Sequence, residues 1–354
     1  MKTNPGVLPA TLSGAVTGIG SLPFLSADEA VRAVAEYSDE VPFWPQLPQV
    51  SDRETVIGQG LGVLAGLIEP RTEGYGYEVK AGRIDAVVAA LHNSSGSLTA
   101  DRAAGFPAFE HAVATGAFPR ALALKGQIEG PVTLATYLFY RGRAFLADAS
   151  LFSAVVFHVA QMVSWQIGRL KAFAKPVLLF VDEPGLCLDA AVPGGISQER
   201  RWSAVAAIFD DVRAHGAFGG LHCCAAHPFD RMCAAAPDMI SFDAHHGLEQ
   251  FLAHRGALRF IERGGWVAYG MVPTASEPIT LPAASLFSRW LVAASMAGDP
   301  KDLAQRAMVT ATCGLGLLDG PRVQESFALA HRVGSLLRRL AGVETAESTQ
   351  VLQA

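Results

Sequence analysis

Ala217-Phe218-Gly219-Gly220-Leu221-His222-Cys223-Cys224 is a short apolar run that ends in a histidine and two thiols. In an extended strand successive side chains point to opposite faces, so His222 and Cys224 share one face while Cys223 points away. Two candidate metal ligands are paired before any folding argument. Two further runs end in the same kind of residue, Ile240-Ser241-Phe242-Asp243 in a carboxylate and Thr312-Cys313-Gly314 in a thiol. Zn²⁺ takes His nitrogen, Cys sulfur and carboxylate oxygen, and a sulfur-rich site that keeps one position open suits activation of a substrate. The substrate such a site favours is another thiol.

Outward from this stretch the pattern repeats. Short β-rich runs ending in Gly, Pro or polar residues alternate with longer amphipathic stretches, the pattern of βα units closing a parallel sheet. The runs are Val16 to Ser21, Val41 to Leu47, Ala121 to Glu129, Val177 to Asp182, Ala217 to Cys223, Met239 to Asp243, Trp266 to Val272 and Val309 to Cys313. About eight of them close a (β/α)8 TIM barrel, an α/β fold. Apolar residues at three- and four-residue spacing predict helices over Ala27 to Tyr37, Asp52 to Leu67, Phe152 to Phe173, Gln198 to His215, Ala284 to Ala297 and Val323 to Leu340. Ser26 and Ser197 stand as start signals before two of them. The stretch around 69–116, with its Gly-Tyr-Gly-Tyr and Asn-Ser-Ser-Gly clusters, fits no single βα unit and reads as an insertion, a hairpin with a helix. Residues 1–342 thus read as one catalytic barrel, and 343–354 as a polar C-terminal tail.

The chain has 354 residues, 50% of them hydrophobic and 17% charged, enough apolar material for one large core. Its formal charge of -5 is interspersed, with no basic stripe of the kind a phosphate backbone needs, so nucleic acid is not an expected partner. Residues 1–17 carry one lysine and an early proline but no sustained apolar stretch with a cleavage site. Runs such as Pro176 to Val181 are too short to cross a bilayer. The expected setting is cytoplasmic, with no membrane partner. Five cysteines, an odd number scattered through a large chain, do not suggest a disulfide framework and leave thiols for metal or catalysis. Cys187, Cys223 and Cys233 read as structural.

Barrel enzymes place their active sites where strands end and βα loops begin. The reactive residues fall there: Ser21, Asp182-Glu183-Pro184, His222 and Cys224, Asp243, and Cys313. In order along the chain come Gly18-Ile19-Gly20-Ser21-Leu22-Pro23, Lys125-Gly126, Gly130-Pro131-Val132-Thr133, Asp182-Glu183-Pro184, His222-x-Cys224, Ile240-Ser241-Phe242-Asp243 and Cys313-Gly314-Leu315. This ordered set resembles the catalytic C-terminal barrel of the cobalamin-independent methionine synthase family, in the superfamily that also holds uroporphyrinogen decarboxylase.

The resemblance implies a zinc-dependent methyltransferase that moves a methyl group to the thiol of homocysteine to form methionine. It implies Zn²⁺ held by His222, Cys224, Asp243 and Cys313; the family pattern has Glu where this chain has Asp243, and His245 and His246 stand nearby as substitutes. It further implies that Ile19 and Ser21 hold the homocysteine carboxylate and that catalytic Asp182 pairs with its ammonium, with Glu129 or Glu54 as a second acidic partner. A carboxylate at a strand end gives an ammonium its counter-charge in a partly dry cleft. Tyr137 stands where full-length members stack the pterin of the methyl donor on a tryptophan. Shorter, single-barrel relatives take methyl from methylcobalamin or a corrinoid protein, so the donor is a methylated corrinoid or 5-methyltetrahydrofolate, with the smaller Tyr137 ring favouring the corrinoid.

Other readings follow from the same residues. Gly18-Ile19-Gly20-Ser21 lacks the third glycine and the later acidic residue of a dinucleotide loop. A metal-free decarboxylase acting on a polycarboxylated tetrapyrrole needs a cluster of arginines, and Arg71, Arg141 and Arg143 are few. A transferase acting on another small thiol and a non-catalytic corrinoid- or metal-binding module complete the alternatives. Trp44-Pro45-Gln46-Leu47-Pro48 reads either as a pocket-lining loop or as a strand terminator.

Overall fold

The computed structural model describes residues 6–186, 195–224, 228–274 and 280–343. Six strands run parallel: β3 (Leu124–Glu129), β6 (Val177–Asp182), β7 (Phe218–Cys223), β8 (Met239–Phe242), β9 (Trp266–Val272) and β10 (Ala307–Ala311), in spatial order β10-β9-β8-β7-β6-β3. Single parallel bridges pair Val16 with Val309, Ser21 with Gln46 and Phe43 with Lys125. The first two sequence runs therefore take the places between β10 and β3 and close the ring, giving the eight-staved curled sheet that the alternation predicts. They do so by bridges rather than continuous ladders. Pro42 and Pro45 remove backbone donors from the second run. In the first, a Cβ on Gly18 would meet the Phe43 ring at 2.3 Å, so the segment is built for close approach.

Helices cover the outside. Ala27–Tyr37 and Gln198–Ala214 start at the serine caps, Ser26 and Ser197, whose side chains accept from Glu29 and Arg200 N–H. The helix expected over 52–67 is instead one short α-turn, Val56–Gly60, between 3-10 turns. Gly58 and Gly60 lie where a Cβ would strike backbone or Leu134, so close packing overrides the apolar periodicity. Ala149–Lys171 is long and apolar enough to cross a membrane by length and composition, yet it packs along β3 and β6 with half of its apolar window buried. Its Gln166 accepts from Trp44 Nε1 (3.1 Å) and donates to the Gln127 carbonyl (3.2 Å). Leaving such buried groups unpaired would cost about 1–3 kcal/mol each. Trp44 therefore faces this helix, while Gln46 reaches Ser21 Oγ and Gln59.

The stretch after residue 67 forms a hairpin of β1 (Ile68–Pro70) and β2 (Tyr77–Val79), then helices Ile84–His92 and Gly105–Ala114. The hairpin joins β4 (Leu138–Tyr140) and β5 (Arg143–Ala144) in a four-stranded sheet. Inside the barrel the layers change character. Leu178, Phe180, Phe218, Met239, Trp266, Ala268 and Met308 belong to an apolar cluster filling the lower interior. Above it stand buried polar side chains: Gln127, Glu129, Asp182, His222, Ser241 and Thr310.

Candidate metal centre at the barrel mouth

Register sets the site. Glu129 pairs with Asp182 and Asp182 with His222 on adjacent parallel strands, so the three side chains share one level and one face. His222 is in turn paired with Ser241, and its Nδ1 lies 3.0 Å from Ser241 Oγ. That contact orients the ring and leaves Nε2 buried without a hydrogen-bond partner. Cys224, one residue past β7, keeps the parity of His222. Cys223 points the other way into the outer core, as its parity requires, and is held in a disulfide that the scattered cysteines did not announce. Cys224, Cys233 and Cys313 are free thiols. Cys187 lies outside the described residues.

Cys313 arrives by a different route. Met308 faces the interior and Val309 the outer core, so strict alternation would turn residue 313 outward with 309 and 311. The register shifts between Thr310 and Ala311, and the chain then bends, re-aiming the strand end. One ligand atom each from His222, Cys224 and Cys313 lies within 4.8 Å of the others. Tetrahedral Zn²⁺ with Zn–S of about 2.3 Å and Zn–N of about 2.0 Å separates its ligands by roughly 3.5–3.8 Å, so small side-chain movements close the set. Electrostatics agrees with such a group. The neighbouring Cys224 thiol and His222 ring pull the Cys313 thiol well down, while Cys224, beside that thiolate and partly buried, is pushed up. A sulfur pair that shares a proton, with an unpaired imidazole nitrogen beside it, is a donor set suited to zinc.

Asp243, expected as the fourth ligand, is not in this group. Its carboxylate accepts from the His246 N–H (3.1 Å), capping the helix Ala244–Leu252, and meets His246 Nδ1 at 2.7 Å. The chain leaves the strand at Phe242, so the aspartate serves the helix it begins. His246 is occupied by that contact, and His245 Nδ1 is buried and unpaired but outside the group.

The fourth side of the centre is acidic. Glu129 Oε1 and Asp182 Oδ1 are buried without hydrogen-bond partners. Burial, with Asp182 and Glu183 alongside, pushes the Glu129 carboxyl well up. Burial pushes Asp182 to about 6, against the pull of His222 and Lys125. Glu54, the other acidic residue considered, is taken up by the Ala104 N–H (2.8 Å) and Gln59 Nε2 (3.4 Å). Glu183 has a third role. It accepts from the N–H groups of Val132 and Thr133 (both 2.9 Å) and the Thr133 hydroxyl (2.6 Å), holding the N-terminus of the helix Pro131–Tyr137.

The remaining expected residues line the rim. Ser21 Oγ lies 3.4 Å from Gln46 Oε1, and its backbone carbonyl accepts from Leu315, just past Cys313. Ile19 presents its carbonyl to Lys125 Nζ at 2.6 Å. Tyr137 packs edge-on against Tyr75 of the inserted hairpin, 5.0 Å between centroids, and feels the charges of Glu129 and Cys224. Lys125, Gln127, Gln46 and Tyr75 were not identified as site residues from the sequence. The alternation Lys125-x-Gln127-x-Glu129 on one strand was the available signal. A cleft of about 890 Å³ lies at the opposite end, against the strand starts at Phe218 and Trp266, where barrels carry stability rather than chemistry.

No protein-family model matches the chain, and no curated protein matches it. Among solved structures it is similar to a methyltransferase from Methanosarcina mazei, with a TM-score of 0.55 and 11% identity over 93% of this chain and 98% of that one. A beta-mannanase from Alicyclobacillus acidocaldarius gives a TM-score of 0.46 at 11% identity over 95% and 98%. An L-ribulose 3-epimerase gives 0.38 at 13% identity over 68% and 82%. The likeness to the methyltransferase, at 11% identity, is one of fold.

Proposed function

We propose that this chain is a zinc-dependent S-methyltransferase of the methionine synthase type, transferring a methyl group to the thiol of homocysteine from a methylated corrinoid or 5-methyltetrahydrofolate. The observation that carries the reading is the grouping of His222, Cys224 and Cys313 next to two buried, unpartnered carboxylates. His222, Cys224 and Cys313 would hold the metal, which when bound supplies the positive charge that keeps a substrate thiol ionised near neutral pH.

The chain's own groups do the rest. Asp182 and Glu129 offer an ammonium its counter-charge, and an arriving cation offsets the burial that otherwise favours their protonated forms. The strand segment at Ile19 and Ser21 takes the carboxylate, which fixes the sulfur relative to the donor. Tyr137, backed by Tyr75, shields one side of the mouth from water and offers a face to the donor. In the transfer a sulfur lone pair forms the new S–CH3 bond, and the pair of the broken carbon–cobalt or carbon–nitrogen bond leaves with the donor. A tetrapyrrole decarboxylase is less well supported. Arg71 stacks on Phe139 (3.8 Å to the centroid) and Arg141 lies over Tyr140 (5.2 Å), so both lie at the four-stranded sheet and not on the barrel strands.

The test is methionine formation by the purified protein from homocysteine, with methylcobalamin and 5-methyltetrahydrofolate supplied separately. Turnover with either donor supports the reading and identifies the donor. No turnover with both donors, by protein that holds zinc, contradicts the homocysteine assignment, and turnover of a different small thiol redirects it.

A further inference from the structure

A lysine inside a barrel is costly. Lys125 is fully buried, on the interior face of β3 below Gln127 and Glu129. Its Nζ donates to the Ile19 carbonyl at 2.6 Å and to Gln127 Oε1 at 3.1 Å, and it lies 4.8 Å from the centroid of Phe180. A methionine or leucine would pack beside Phe43 and Phe180 without the desolvation cost of a charge, so stability alone does not explain the residue. Its position relative to the mouth does.

We propose that Lys125 is the specificity-determining, positioning residue that makes the site select an α-amino-acid thiol over a bare amine thiol, by fixing a positive charge behind the Ile19–Ser21 segment. This inference rests on the reading of that segment as the carboxylate subsite. Two observations support it. The charges are then ordered along the interior: the Lys125 ammonium, lower on β3, lies against the carbonyl of the first barrel segment, and the acidic pair Glu129 and Asp182 stands at the ends of β3 and β6. That arrangement matches a zwitterion, with carboxylate towards the first segment and ammonium towards the pair. The hydrogen bond also acts through the backbone. In a planar trans peptide the Gly20 N–H points opposite to the Ile19 carbonyl, so an ammonium on that oxygen polarises the amide and strengthens the N–H as a donor. The segment is closely packed at this point, since a Cβ on Gly20 would lie 2.6 Å from Gln46 Oε1 and 3.0 Å from Gln127. Burial lowers Lys125 to about 7 while Asp182 raises it, and an anion arriving at the mouth favours the charged form further.

The experiment compares the dissociation constants of homocysteine and of 3-aminopropane-1-thiol, the same thiol amine without the carboxylate, by calorimetry on zinc-loaded protein. Wild type binds homocysteine at least about tenfold more tightly, the scale of one charge-assisted interaction. Lys125→Met weakens homocysteine about tenfold and leaves the amine thiol within about twofold, so the preference disappears. Lys125→Gln keeps a donor for the Ile19 carbonyl without the charge, guards against a packing defect in the first variant, and loses the preference as well. Equal weakening of both ligands, an unchanged preference in either folded variant, or a wild type that binds both thiols without preference overturns the proposal. A wild type that binds neither thiol overturns the homocysteine reading itself, and the role of Lys125 with it.

Discussion

Ser241 Oγ meets His222 Nδ1 at 3.0 Å, from the next parallel strand and at the same register level. The contact fixes the imidazole so that its second nitrogen, buried and unpaired, is left for a ligand. Groups behind a metal-binding histidine set its tautomer and aim, and losing one typically costs about ten- to a hundredfold in metal affinity. Ser241→Ala should therefore weaken zinc by about that factor while the fold is retained. Competition with a chromogenic chelator reads the affinity, and an unchanged affinity would show that ring packing alone holds the histidine.

Asp182 should matter for substrate and not for metal. Asp182→Asn removes the counter-charge of the substrate ammonium, so kcat/KM for homocysteine falls about ten- to a hundredfold, the value of a charged hydrogen bond. Zinc content stays at the wild-type level. Loss of zinc with activity would instead make Asp182 part of the metal centre.

The same substitution should stabilise the empty protein near neutral pH. Burial raises the Asp182 carboxyl from 3.8 to about 6, so the native state holds a proton that the unfolded chain has released. Its contribution is full below pH 3.8 and is lost as pH rises through about 6. Metal-free Asp182→Asn, which does not titrate, should gain on wild type across that window and level off above it, by up to the order of 3 kcal/mol. Denaturant unfolding at several pH values measures the difference. A gain that stays flat with pH contradicts the burial argument.

Glu183 is its neighbour in sequence and serves the fold. Its three short hydrogen bonds hold the first turn of the helix Pro131–Tyr137 and, through it, the approach to Tyr137. Glu183→Gln keeps the size, but its amide can accept on only one side, leaving a buried N–H unpaired. We expect a loss of about 1–3 kcal/mol in unfolding free energy with zinc retained. Unfolding curves and metal analysis together separate this outcome from a catalytic one.

Much of this architecture can be read in the residues, for reasons that differ from place to place. Val177–Asp182 and Trp266–Val272 are mostly apolar runs, the first between Pro176 and Glu183 and the second between Gly265 and Pro273, and the strands occupy those bounds. The first two barrel segments are harder, because prolines and glycines reduce their pairing to single bridges. Period-2 alternation places His222 with Cys224 but would send Cys313 outward; the bulge that re-aims it has no mark in the local sequence. Asp243 shows how one residue type supports two readings, since an aspartate at a strand end is both a ligand candidate and a helix cap, and the downstream helix takes it. Lys125 is hard to place from the residues alone, since a lysine in a strand suggests a solvated edge until the interior face is known, and here it is buried.

The central claim is a thiolate metal centre built from His222, Cys224 and Cys313, and the most direct measurement is the zinc content of the reduced protein beside that of Cys313→Ser. We predict about one zinc per chain in the wild type and a marked loss in the variant, because the remaining histidine and single thiolate no longer form a closed set. Zinc absent from wild-type protein prepared without chelators, or retained in full by the variant, would contradict the account.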